Sequence, residues 1–364
     1  MFSETSASLW RNEMEPEQPT GTTSRRKFLQ YSAMLSVGWQ TLMSSRDARA
    51  AVYAAKEAAG VGSLWPEMTY RTLGRTGFRA SRLVMGCGAS LAIRSKDELL
   101  NAAYDAGINV FDVGYSGYYY YAQENLASFI NRVRDDVFLI SKAPAGLDPD
   151  VAPNQSVTVE QAKHAAKVWS EQLDESLGQL QVDYVDAYYL MASYNPSLIK
   201  SEEIYNAFQR AKQAGKVKHL GLSTHRNAEK VVLAAAETGW YDLAMIAITP
   251  GGWYDWETKS VLKGSKPMTG LLPVLEKVRN SGMGLVGMKA ARHIAGRIYL
   301  PWGNPDTFNE YYDEKLMSAQ LSPFQRSYAY VLAHGLDVVN ADIGNFGHLE
   351  ENVHAATSSQ EYFA

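Results

Sequence analysis

Cysteine is almost absent from these 364 residues: Cys87 stands alone, which excludes intrachain disulfides, cysteine-ligated zinc and iron–sulfur clusters. No Gly-x-Gly-x-x-Gly turn follows an early strand-like segment, so the signature of a doubly wound dinucleotide-binding sheet is missing. Positive charge is not in excess either. The 35 Lys and Arg face 39 Asp and Glu, a net of −4, and nothing in that balance calls for nucleic acid. The apolar stretch 31–43 is too short to span a bilayer, and no later segment approaches the roughly 20 apolar residues that a span requires. What remains is an ordinary globular composition, 46% hydrophobic, in a chain long enough for one large core.

The amino terminus carries an address. Ser24-Arg25-Arg26-Lys27-Phe28-Leu29 precedes the short apolar stretch, and Ala48-Arg49-Ala50 follows it with the small-x-small pattern that a signal peptidase cuts. Residues 1–50 are therefore expected to be a twin-arginine signal peptide, with the mature protein starting near Ala51 and a net charge near −5. The Ala- and Gly-rich stretch 51–66 reads as a linker. The expected destination is the periplasm or another exported location, reached already folded through the twin-arginine export machinery and without stable membrane insertion. Replacing Arg25 and Arg26 together by lysine should leave the precursor in the cytoplasm with its fold intact. Fractionation showing unchanged export by the general route would remove the assignment.

Beyond the linker, strand-like and helix-like patterns alternate, which argues for a parallel sheet. Candidate strands are 82–86, 109–112, 137–142, 184–190, 217–223, 244–248, 284–288 and 337–341. Ser95 with Glu98 and Thr158 with Gln161 have capping-box spacing, and Ala162, Ala165, Ala166, Trp169, Leu173, Leu177 and Leu180 recur at helical intervals. Eight strand–helix units in about 300 residues match a (β/α)8 TIM barrel, whose active site lies at the carboxyl ends of the strands. Residues 68–72 and 78–81, joined around Gly74-Arg75-Thr76-Gly77, read as an N-terminal β-hairpin ahead of it.

A barrel brings Asp112, ending the second strand, next to Lys142, ending the third. Between them lie Tyr118, Tyr119, Tyr120 and Tyr121. A lysine ammonium beside a phenol is expected to lower its pKa, and a carboxylate holds that lysine in place, which suits a proton donor to a developing alkoxide. The same residues also suit a structural ion pair and an aromatic packing cluster.

Five strings go further. Tyr70-Arg71-Thr72-Leu73-Gly74-Arg75-Thr76-Gly77, Ala106-Gly107-Ile108-Asn109-Val110-Phe111-Asp112, the run from Ser176 to Asp186, the run from Gly215 to Ser223, and Leu349-Glu350-Glu351-Asn352 together resemble the aldo-keto reductase family, in the family's order. The resemblance implies a (β/α)8 barrel that binds NADP or NAD without a Rossmann domain and reduces carbonyls with an Asp, Tyr, Lys, His tetrad. Asp112 and Lys142 match by position. For the tyrosine, counting back from Glu124 points to Tyr118, with Tyr120 as the alternative. The histidine position holds Met191, whose thioether cannot donate a hydrogen bond.

For the cofactor, the resemblance implies Ser223, Thr224, Lys289, Glu351 and Asn352, while Met245, His348 and Asp342 replace the family's glutamine, arginine and glycine. Tyr115, Trp253, Tyr254, Trp256 and Trp302 are expected to join the tyrosines in an aromatic rim around a small-molecule substrate. His225 and His293 lack metal-site spacing, and no metal is expected. Two functions fit: an exported NAD(P)-dependent oxidoreductase acting on a carbonyl or alcohol, or a non-redox, non-catalytic ligand-binding barrel of the same descent.

Overall fold

Eight buried strands run parallel and close on themselves. They are β3 (Leu83–Gly86), β4 (Val110–Asp112), β5 (Phe138–Ala143), β6 (Val185–Leu190), β7 (Val217–Thr224), β8 (Leu243–Thr249), β11 (Gly284–Met288) and β12 (Val338–Asp342), with pairing continuous round the ring through β7–β8 and β12–β3. The computed structural model describes residues 65–294 and 303–363. The barrel is one compact unit, Trp65–Arg292 with Asp306–Ala364. The expected signal peptide, the linker up to residue 64 and Trp302 lie outside the described residues. Among the described residues no helix is long and apolar enough to cross a membrane.

Every expected strand is present, with ends within one residue or so. Thr158 and Gln161 form their capping box at the start of the 22-residue helix Val159–Leu180, whose buried face is the expected apolar set. Ser95 and Glu98 do not. That helix starts at Asp97, after Lys96, and Ser95 Oγ instead donates to Asp97 Oδ1 at 2.6 Å. A short antiparallel extension of β8, made of β9 (Gly252–Asp255) and β10 (Ser260–Val261), was not foreshadowed by the alternation.

Register decides which side chains share a level inside the barrel. Asp112 pairs with Ile140 and Ile140 with Ala187; Tyr189 pairs with Gly221 and Gly221 with Leu243; Met245 pairs with Val286 and Val286 with Val338. Asn340 pairs with Val84, one residue before the Met85 to Phe111 pair. Because the strands tilt, crossing two of them at constant height gains two residues. Asp112 therefore shares a level with Tyr189, Met245 and Asn340, and the fourth step returns to Asp112. That circuit is the stagger an eight-stranded barrel of this kind requires, with four side chains per layer from alternate strands.

Below this polar level the layers are apolar: Val84, Ile140, Gly221 and Val286, then Val110, Ala187, Leu243 and Val338. Every non-glycine member of both is in the inner core cluster. Above it stand Gly86, Lys142, Ser223 and Met288. Glycines make room for large neighbours. A Cβ on Gly221 would lie 2.2 Å from Tyr189 ring atoms, and one on Gly86 would lie 2.6 Å from Asn340 Oδ1.

The floor is closed by the hairpin of β1 (Tyr70–Thr72) and β2 (Arg79–Ser81), with Leu73 and Ala80 buried in the inner core. Arg75 ties the hairpin down by donating to the Gly239, Tyr241 and Ser281 carbonyls, with Asp242 at 3.3 Å. Gly74 and Gly77 both have positive φ, but a Cβ on Gly74 would meet Gly284 N at 2.2 Å, whereas Gly77 faces open space. Gly77→Ala should therefore cost about 1–2 kcal/mol, the strain of the left-handed backbone alone. Gly74→Ala should lower the thermal midpoint clearly further, because backbone cannot give way as a side-chain tip can.

Candidate active site

The strand ends deliver a buried ion pair. Asp112 and Lys142 are each 4% exposed, and Lys142 Nζ donates to both carboxylate oxygens at 2.6 Å and to the Val113 carbonyl at 2.8 Å. Three acceptors satisfy the ammonium, without which burying it would be costly. Asp112 receives a further bond from Asn340 Nδ2, 2.6 Å from Oδ2. Asn340 also lies 3.6 Å from Met245 Sδ, so the polar level is linked across the barrel. Sequence reading had left Asn340 out; stepping the register round the barrel would have found it.

Of the four consecutive tyrosines, the geometry sets Tyr119 beside the pair. Its ring lies between Gly88 and Gly114, where a Cβ on either would come within 2.5–2.8 Å of it, and Lys142 Nζ is 5.6 Å from the ring centroid. Tyr118 stacks edge-on against Tyr119 at 4.8 Å. Tyr120 and Tyr121 are exposed, 42% and 64%. Enclosure of the Tyr119 hydroxyl, reinforced by the Asp112 charge, holds its pKa well above the usual phenol value. Desolvation is the largest cause, and the Asp112 charge acts in the same direction.

This buried pair under a phenol, at the carboxyl ends of the strands, sits in a chain whose residues 85–290 match the aldo/keto reductase family. The chain belongs to that family. A Schizosaccharomyces pombe protein named "Putative aryl-alcohol dehydrogenase" is 24% identical over 210 residues, half of this chain and 59% of the relative's own length. Among solved structures, a "putative aldo-keto reductase" of Pseudomonas aeruginosa superposes with a TM-score of 0.56 at 19% identity, over 81% of this chain and 97% of that one. A thermostable aldo-keto reductase in complex with the inhibitor epalrestat gives 0.55 at 21% identity, over 80% and 94%. At such identities these two structures speak for the fold.

Positions matched to the family's nucleotide contacts divide. Ser223 stands level with Lys142, but its Oγ accepts the Ala192 N–H at 3.1 Å. Thr224 alternates to the outer side of β7, fully buried, with its hydroxyl on the Arg226 carbonyl at 3.0 Å. Glu351 accepts the hydroxyl of Ser322, the cap of helix Pro323–Ala333, so it ties helices together; Asn352 is buried next to it in sequence. Met245 is 1% exposed, in the Asp112 layer beneath the mouth. Met191 follows β6, half-buried, with its N–H on the Ala143 carbonyl. Asp342 ends β12 in contact with solvent.

Lys289 follows β11 in a left-handed conformation, φ 65°. Its Nζ lies 5.1 Å from the Trp256 ring centroid, and Lys259 Nζ lies 3.2 Å from the same ring. The His225 ring is 5.2 Å from Trp256. The expected aromatic rim is thereby divided. Trp256 is partly buried among these cations, whereas Trp253 packs outward with Nε1 on Glu229 and Tyr254 is buried in the inner core. Among the described residues no group of three or more His, Cys, Asp or Glu could hold a metal.

Burial, with Lys289, Lys259 and Lys142 around it, lowers the His225 pKa to about 3. An unfolded histidine titrates near 6.5, so the unfolded chain takes up this proton first and stability is lost as pH falls from that value towards 3. The His225 ring resonances should accordingly stay in the neutral form from about pH 8 to about pH 5 in NMR titrations. A midpoint near 6 would show that neither burial nor the three ammonium groups hold it neutral.

Proposed function

We propose that this chain is an NAD(P)-dependent oxidoreductase of the aldo-keto reductase type that reduces a carbonyl substrate, with Tyr119 in place of the expected Tyr118 as its acid. The observation that carries this reading is the Tyr119 ring against the Lys142–Asp112 pair. The phenol keeps its proton at neutral pH and can give it to a developing alkoxide, which is by far the stronger base. Lys142 stands ready to stabilise the phenolate left behind, and Asp112 with Asn340 fixes Lys142. His225, neutral at the mouth, supplies a donor that Met191 cannot.

The residues present fit a nucleotide in a modified way. Lys259 and Lys289, both set against Trp256, suit its phosphates, while Thr224 and Glu351 are already engaged in the fold. When bound, NAD(P)H supplies the hydride. Export of the folded chain to the periplasm, proposed on Arg25 and Arg26, would carry the nucleotide with it.

NADPH or NADH should raise the thermal midpoint of the folded chain. Tyr119→Phe should lower the reduction of an aromatic aldehyde by about 10²–10⁴, the usual worth of a positioned acid, while Tyr118→Phe leaves it nearly unchanged. The opposite ranking would return the role to Tyr118. No thermal response to either nucleotide at millimolar concentration would leave the ligand-binding barrel as the better reading.

A further inference from the structure

One member of the polar layer has no use in the mechanism above. Tyr189 is fully buried, and its hydroxyl has no hydrogen-bond partner. A buried orphan hydroxyl is a standing cost, and replacing it with hydrogen should be neutral or favourable unless the group works at some other moment. Its position is informative. Tyr189 pairs in register with Lys142 on the adjacent strand, and it flanks Asp112 in the layer on the side opposite to Asn340. Gly221 beneath its ring leaves the space that lets a full phenol lie there.

We propose that Tyr189 is a positioning residue, a reserve hydrogen-bond donor to Asp112 that engages when Lys142 turns away from the carboxylate. The proposal rests on reading Asp112, Lys142 and Tyr119 as the proton-handling group. In the resting state Lys142 Nζ spends its donors on Asp112 and Val113. Once Tyr119 has given its proton to the alkoxide, a phenolate faces that ammonium and draws it upward. Asp112 then keeps Asn340 on one oxygen and lacks a donor on the other. The Tyr189 hydroxyl supplies it without parting with its proton, so the carboxylate stays satisfied until Tyr119 is reprotonated from solvent. Asp112 is the foremost charge acting on this phenol, which accords with the placement.

The test is a reversal of sign. In the otherwise native chain Tyr189→Phe should raise the thermal midpoint, because it removes an unpaired buried hydroxyl and keeps the ring over Gly221. In the Lys142→Met background, where Asp112 lacks its ammonium, the same change should lower the midpoint. Should Lys142→Met fail to fold, Lys142→Ala, which also withdraws the ammonium but shortens the side chain, serves as the second background. Stabilisation by Tyr189→Phe in every background overturns the proposal. These midpoints need neither nucleotide nor substrate, so they decide the point even if carbonyl reduction is not found. Where the native chain turns over, Tyr189→Phe should lower kcat about tenfold with KM unchanged, as expected for a group that acts after substrate is bound. An unchanged kcat overturns it equally.

Discussion

A single buried ammonium organises this molecule. Lys142 Nζ is surrounded by Asp112 and the Val113 carbonyl, and Asp112 is held in turn by Asn340 from the far side of the ring. Such a pair is tolerable in an apolar barrel only when every donor and lone pair is engaged, so it dictates what surrounds it. The layers beneath can be dry because the polar atoms are confined to one level. The phenol above is affected as well: desolvation, with the Asp112 charge acting in the same direction, raises the Tyr119 pKa.

Much of the family resemblance in the sequence belongs to the floor. Arg75 of the first string latches the hairpin; Asp186, from the run ending at that residue, binds Arg134, Lys218 and the Leu139 N–H; and His219 meets Asp242. These contacts close the barrel at the end remote from the mouth, which explains why the fold was legible while the chemistry was less so. Asp112 and Lys142 could be read because a strand end is a fixed address. Which of the four consecutive tyrosines packs against that pair could not, since only its seat between Gly88 and Gly114 distinguishes it. Asn340 and Tyr189 were invisible to spacing along the chain. Their relation to Asp112 appears only once register is carried round the ring. Alternation with inward Ser223 likewise turns Thr224 to the outer side of β7.

The nucleotide positions show the same division between address and context. Ser223 stands at the expected height, yet its oxygen is engaged by a neighbouring loop amide, and Glu351 has become a cap partner. The cations that now gather at the mouth come partly from an element the alternating pattern did not announce, since Lys259 lies in the extension between β9 and β10. Aromatic residues of that extension went different ways, Tyr254 into the barrel and Trp253 towards Glu229, which fastens the segment at both faces.

The stagger of the strands has a consequence of its own. Because four two-residue steps must return to the starting point, no strand can slip by itself; a shift anywhere would have to be matched all the way round, and the circuit admits only whole-ring solutions. Height inside the barrel is therefore a conserved quantity of the closed sheet, independent of what the connecting segments do. Asp112, Tyr189, Met245 and Asn340 would keep their common level even if the loops between them were lengthened or replaced, so this polar level and the rim above it are free to change separately.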